Sequence, residues 1–453
     1  MITVVTEISK YLILAVMVIY TIFNFIAIRI KSAERAKSLC FKQLCMVFLM
    51  LTLGYLILLL RTQDYSLIAF FAIQMAFYML YYRLFARLYP TCSRVIISNT
   101  ILLFGVGLLM ITRLDYGRSI RQFIIGIAAF IISFFVPVIV RKFKALARFA
   151  WLYALLGIGL LVVVWRMGST TYGAQLTLSV AGVALQPSEF VKISFVFFTA
   201  SMFRRDQSFA MTVMTTAIAA VHVLVLVAST DLGSGLVYFV SYLFMIYVAT
   251  HRMRYMAAGA AAGAAAAVGA YYLFDHVRIR VAMWLDPFSD YSGKGYQLSQ
   301  SLFAISSGGL FGLGLAQGRP GSIPLARNDY IFSAICEEMG LIFACCLVLI
   351  YLGFILQLFG VSTRLESRFH QILGVGFAAM IGFQVFLHIG GVTKMIPATG
   401  ITLPLVSYGG SSVLSTLIII GVIQGLNISS DGLTAKQRAR VREEELEAGS
   451  SVV

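Results

Sequence analysis

The stretch DPFSDYSGKGYQLSQSLFAISSGGLFG, from Asp286 to Gly312, gathers two acids, a lysine, two glutamines and a cluster of glycines. It stands in a chain that is 60% hydrophobic and 12% charged. Other polar groups sit where an apolar run should reject them. In LQPSEFVKIS, Glu189 and Lys192 are three residues apart, on one face of a helix and close enough to pair. In STDLGSG, Asp231 opens a helix beside two glycines, either as its N-cap or facing a polar ligand. In NDYIFSAICEEMG, Glu337 and Glu338 are sequence neighbours, about 100° apart on a helix, so one at most faces a cavity. A charge at the centre of a bilayer costs about 2.5 to 3.5 kcal/mol, so such groups need either a partner or a wet cavity. GVTKMIPATGITLPLVSYGGSS is too broken by Pro397, Pro404, Gly409 and Gly410 for a simple span, yet too apolar for a free loop. It reads as a re-entrant or buried segment lining a cavity.

The elements that must position these groups follow from the apolar runs. A mean hydropathy of +0.90 over 453 residues exceeds what a soluble core can bury. The expected fold is an all-α polytopic membrane protein of about 13 spans, near residues 9–30, 44–62, 66–84, 94–113, 119–140, 147–165, 187–203, 210–228, 232–249, 254–274, 330–358, 370–393 and 411–427. The N-terminus reads as a first span and not as a signal peptide. An odd count puts the termini on opposite sides. Placing the 30–43 loop inside collects there most of the 35 lysines and arginines, which makes the N-terminus external and the C-terminus cytoplasmic. The longest loop, about 275–329, is then external. The net charge of +16 is a topology signal with an attraction to anionic membrane lipids, and calls for no nucleic acid. Cys40, Cys45, Cys92, Cys336, Cys345 and Cys346 have neither metal-site nor disulfide spacing and read as small apolar residues. Gly259 and Gly263 have the spacing of a close helix–helix contact. The polar tail 431–453 reads as a solvated end.

LQPSEFVK, DLGSG, the Asp286–Gly314 stretch, DYIFSAICEEMGL and PATGITLPLVSYGGSS resemble, in order and spacing, the motifs of the SEDS family, the FtsW/RodA/SpoVE type of bacterial cell-wall polymerases. The resemblance covers roughly residues 94–430. It implies a ten-helix core at 91–430 with the catalytic loop at 275–329. Residues 1–90 are then extra N-terminal helices, either a docking surface or an extension.

The activity that the resemblance implies is peptidoglycan glycosyl transfer. Lipid II is polymerised on the outer face of the bacterial cytoplasmic membrane, with undecaprenyl pyrophosphate as leaving group and a class B penicillin-binding transpeptidase as partner. The process served is division, elongation or sporulation. The second acid of the family's loop pattern matches Asp290, which the resemblance makes the general base for the acceptor hydroxyl; Asp286 is a turn acid. Cations that could offset pyrophosphate charge are Arg278, Arg280, Lys294 and Lys394, each equally readable as a headgroup contact. Further substrate contacts are assigned to Glu189, Lys192, Asp231, Gln297, Gln300, Ser301, Ser407, Tyr408, Gly409, Gly410 and Ser411. No cofactor is called for, and a divalent cation is left open. The chain departs from the pattern at Tyr291, Asn328 and His388, and GAQLTL at 173–178 lacks the usual Arg-Trp pair. Two other readings stay open, a lipid II flippase and a non-catalytic scaffold of a penicillin-binding protein.

Overall fold

The computed structural model describes residues 2–30, 33–171, 174–180, 183–204 and 206–429. The tail 431–453 and part of the 173–178 segment lie outside the described residues. In chain order the helices are α1 (Ile2–Arg29), α2 (Ala33–Thr62), α3 (Ser66–Leu88), α4 (Arg94–Leu114), α5 (Tyr116–Lys142), α6 (Ala150–Met167), α7 (Pro187–Met202), α8 (Phe209–Ala228), α9 (Leu232–Thr250), α10 (Met253–Leu273), α11 (Asp275–Leu285), α12 (Tyr296–Gly308), α13 (Ile331–Thr363), α14 (Arg368–Val392) and α15 (Gly410–Ser429). Each expected span falls on one of these helices. Among the described residues 12 are long and apolar enough to cross a bilayer. The remaining span, α7, has only 16 residues. The two helices outside this set, α11 and α12, belong to the long loop.

Burial sorts the helices as their patterning requires. The α4 sequence is apolar all round, and its whole apolar window is buried. It lies among α2, α3, α5 and α13. Gly107 lets it touch the 393–409 segment, because a Cβ there would come within 2.6 Å of the Val406 carbonyl. At the other extreme α10 buries none of its residues and rests on α9, where Gly259 meets Leu243 and Gly263 meets Phe239. The close contact read from the glycine spacing is therefore made.

The extra helices are not loosely attached. α1 lies along α13, and α2 along α4. Asn24 of α1 donates to the Ile350 carbonyl at 3.4 Å and accepts from Asn99 at 2.8 Å and from Gln357 at 2.9 Å. Tyr20 donates to Asn99 at 2.8 Å. These buried amides tie the first helix to α4 and α13.

Two features go beyond the sequence reading. The α6–α7 connection forms a small antiparallel sheet, Ser169–Thr171, Ala174–Val180 and Val183–Leu185, with Ser169 opposite Thr177 and Leu178 opposite Leu185. Its alternating Thr, Leu and Val residues favour strand over helix. The second is a break in α13 at Gly340, whose φ of 85° and ψ of 168° are non-helical. The backbone groups freed by the break bond the loop after α12. Leu313 and Gly314 N–H donate to the carbonyls of Glu337 and Glu338, each at 2.9 Å, and Leu341 N–H donates to Gly309 at 2.9 Å. Both sides of this contact need glycine, since a Cβ on Gly340 would strike the Gly312 backbone.

Replacing Gly340 by Val should therefore cost about 1 to 3 kcal/mol from the backbone conformation alone, read as a lower melting temperature of the detergent-purified protein. Gly360→Ala, within the same helix and with an added methyl that would meet nothing within 4 Å, serves as the control and should not lower the melting temperature.

Candidate active site

The intramembrane charges resolve first. Lys192 Nζ lies 2.6 Å from Glu189 Oε2 and also donates to Gln384 of α14 at 2.9 Å. Ser415 of α15 donates to the same Glu189 oxygen at 2.8 Å. Both members of the pair are buried, so this cluster braces α7 against α14 and α15. Asp231 is the N-cap of α9: one oxygen accepts from Ser234 N–H at 3.1 Å and the other from Ser188 Oγ at 3.2 Å. Glu337 and Glu338 both hold the loop beyond the α13 break. Glu338 takes Arg113 Nε at 3.0 Å and Ala316 N–H at 3.1 Å, while Glu337 takes Arg319 N–H at 2.7 Å.

A cavity of about 230 Å³ lies under the long loop. Its walls come from α11, the turn before α12 and the first turn of α12, the segment leading into α13, the end of α14 and the 398–401 segment. Arg280, Lys294 and Gln297 line it, so three residues assigned from the sequence meet there. Arg280 also donates to the carbonyls of Ala398 at 3.4 Å and Thr399 at 3.2 Å. Arg278, two positions earlier on α11, points elsewhere and pairs with Asp275 on the exposed surface, as a 200° helical offset dictates.

Asp290 stands beside the cavity without lining it. Its backbone carbonyl accepts Gly293 and Gly295 N–H, and its side chain accepts Lys294 N–H at 2.9 Å. Lys294 thus belongs both to the Asp290 turn and to the cavity wall. Asp286 caps its own turn through Phe288 N–H at 3.1 Å.

Several other assigned residues are engaged within the protein. Gln300 donates to the Tyr291 hydroxyl at 2.9 Å. Ser301 donates to the Val392 carbonyl and contacts Ser333 Oγ at 2.6 Å. Ser407 donates to the Asn328 carbonyl at 2.6 Å, and the Ser411 hydroxyl accepts Gln186 N–H at 3.1 Å. Gly409 N–H donates to Gln122 and Gly410 packs on Ile125. Tyr408 N–H donates to the Arg327 carbonyl, and its ring lies under the Arg118 guanidinium. The Lys394 carbonyl accepts Trp284 Nε1–H at 3.1 Å. The 407–411 stretch is thus held by its own contacts, outside the cavity.

Among the polar members of the wall that sequence reasoning did not assign are Thr399, Asp329 and His388. Asp329 follows Asn328 at the mouth of α13, where an acid reads as a helix-start residue. His388 lies near the far end of α14, and only the fold brings them together. Burial pushes the Asp329 carboxyl up to about 6, against the opposing pull of Arg280. A resident divalent cation does not fit this donor set: one carboxylate and one imidazole face two cations, and among the described residues no group of three or more His, Cys, Asp or Glu could hold a metal.

An apolar helical bundle whose longest loop roofs a cationic, carboxylate-bearing cavity defines a multi-pass membrane protein with a candidate site at one end of the bundle. The chain belongs to the FTSW_RODA_SPOVE family of cell cycle proteins, whose match spans residues 93–431. It is 33% identical over 390 residues to the peptidoglycan glycosyltransferase RodA of Mycobacterium tuberculosis, covering 79% of this chain and 81% of that protein. It is 29% identical over 354 residues to the peptidoglycan glycosyltransferase MrdB of Escherichia coli, covering 74% and 94%. A solved chain from a peptidoglycan synthase complex shares the fold, with a TM-score of 0.63 and 23% identity over 73% of this chain and 96% of that one.

Removing one member of the buried pair leaves the other charged and alone. Glu189→Ala should destabilise the protein by about 3 to 5 kcal/mol, and a Glu189→Leu/Lys192→Met double variant should recover most of the loss. Folded yield and melting temperature of the wild type and the two purified variants read this directly. Equal behaviour of all three would mean that the pair does not brace the bundle.

Proposed function

We propose that this protein is a peptidoglycan glycosyltransferase that polymerises lipid II on the external face of the cytoplasmic membrane. The observation that carries the reading is the cavity that joins the Asp290 turn to two cations, Arg280 and Lys294, at the end of a membrane bundle. Family membership and the names of its relatives support the same reaction class.

In this reading the acceptor hydroxyl oxygen forms a bond to the anomeric carbon of the donor sugar. The bond from that carbon to undecaprenyl pyrophosphate breaks, and its electron pair leaves with the pyrophosphate. The hydroxyl proton passes to the Asp290 carboxylate, which acts as general base. Arg280 and Lys294 offset the charge gathering on the leaving group in a site partly closed to water. Arg280 is preset for this by its hydrogen bonds to the 398–399 backbone. A lipid-anchored substrate suits a cavity at the end of the bundle, since its tail stays in the bilayer while its head enters. A penicillin-binding transpeptidase is the expected partner, because glycan strands made here need crosslinking. The structural relative's place in a peptidoglycan synthase complex is in keeping with that.

Asp290→Asn keeps the size of the side chain and removes its basic oxygen. Lipid II polymerisation by the purified protein should fall by about 10² to 10⁴, with the melting temperature unchanged. Normal glycan product from that variant would remove Asp290 from the chemistry.

The orientation is tested separately. In a variant stripped of native cysteines, Ser292→Cys should react with a membrane-impermeant thiol reagent in intact cells and Ser450→Cys should not. The reverse pattern would place the site on the wrong side of the membrane for this reaction.

A further inference from the structure

The cavity holds polar atoms that the protein itself leaves unpartnered. Asp329 is half-buried in the wall, and its carboxyl has no hydrogen-bond partner among the described residues. His388 is 2% exposed; its Nδ1 lies 2.7 Å from the Ile401 carbonyl, which can only accept, so Nδ1 is the donor. In the neutral ring Nε2 then carries the lone pair, and Nε2 is buried without a partner. Thr399 Oγ1, on the neighbouring segment, is likewise buried and unpartnered. Buried polar atoms are ordinarily hydrogen-bonded, so the two buried atoms of His388 and Thr399, on residues that line the same cavity as the unpaired Asp329 carboxyl, call for a guest.

The chemistry of these atoms selects the guest. A carboxylate and an imidazole lone pair accept hydrogen bonds, and the threonine hydroxyl can do either. A phosphate offers acceptors and negative charge, so it is repelled by Asp329 and belongs with Arg280 and Lys294. A group rich in neutral O–H donors fits the acceptors. We propose that Asp329, His388 and Thr399 form a subsite for the hydroxyl groups of a sugar ring, so that one cavity reads a sugar–phosphate junction by its two halves. The inference rests on the glycosyltransferase reading and names three further substrate contacts within it.

A pH dependence follows. With its carboxyl at about 6, Asp329 is ionised and accepting above that value and loses its acceptor as the pH falls through it. The titratable and charged groups that share the cavity with it are Arg280 from α11, Lys294 from the turn before α12, Tyr330 beside it in the chain, whose phenol stays neutral as burial and Asp329 push it up, and His388 from α14; the 398–401 segment contributes none.

The test compares two lipids that differ only in the sugar-bearing head: lipid II and undecaprenyl pyrophosphate. Their binding to the full-length chain in nanodiscs is measured by native mass spectrometry. Asp329→Asn and Thr399→Val should each weaken lipid II by about tenfold, the scale of one lost hydrogen bond to a charged or well-placed group, and leave undecaprenyl pyrophosphate within about twofold. Lys294→Ala should weaken both. In the wild type lipid II affinity should drop below about pH 6, and Asp329→Asn should flatten that drop. Thr399→Val removes a hydroxyl at constant size and reads the subsite even if Asp329→Asn fails to fold. If the wild type binds both lipids but neither variant separates them, the sugar subsite is overturned while the glycosyltransferase reading stands. If the wild type binds neither lipid, both fall.

Discussion

Backbone carbonyls buried away from water must find donors, and the non-helical segment 393–409 carries a row of them into the bundle. The donors come from side chains of surrounding elements. Trp284 serves Lys394, Arg280 serves Ala398 and Thr399, His388 serves Ile401, and Gln384 serves Thr402. Tyr351 serves Pro404 at 2.6 Å, Gln122 serves Ser407 at 3.1 Å and Asn328 serves Tyr408 at 2.9 Å. α5, α11, α13 and α14 are all positioned by this obligation. The cavity is a by-product of the same work, because Arg280 and His388, which serve the segment's carbonyls, also line it.

The buried ion pair extends that logic to the membrane interior. Gln384 joins the two systems, since it donates to Thr402 and accepts from Lys192. A disturbance of the Glu189–Lys192 cluster therefore reaches the segment that walls the cavity, and the distance between them is bridged by one amide side chain. Asp231, by contrast, closes its hydrogen bonds on α9 and Ser188 and has no such link to the cavity among its contacts.

What the sequence made legible follows from how local each signal is. Apolar runs announce spans one helix at a time, and Glu189 with Lys192 at i,i+3 announces a pair within one helix. The prolines and glycines at 397–410 mark an irregular buried segment by composition alone. The break at Gly340 left no such mark, because the residues around it are as helical and apolar as any span and its partner, Gly312, lies far back in the loop. Asp329 and His388 were invisible as a site for the same reason: their proximity depends on how α13 and α14 pack. Ser301, Ser407 and Ser411 show the ambiguity of a short polar side chain. A serine in a polar motif can serve a ligand or a nearby carbonyl or amide, and each of these has a partner of the second kind in the fold. The sheet between α6 and α7 left little mark because two of its three strands have only three residues, too few for an alternating pattern to stand out.

The amide network of the first helix sets an order on assembly. Asn24 leaves the ribosome early, yet Gln357 follows 333 residues later. At roughly 5 to 20 residues per second that is a wait of some tens of seconds. Asn99 of α4 follows 75 residues after Asn24 and can accompany its carboxamide early, but the bonds to Ile350 and Gln357 must wait while α13 is still being made. The helix synthesised first is thus among the last to reach its final hydrogen bonds, and the bundle can close around it only when α13 arrives.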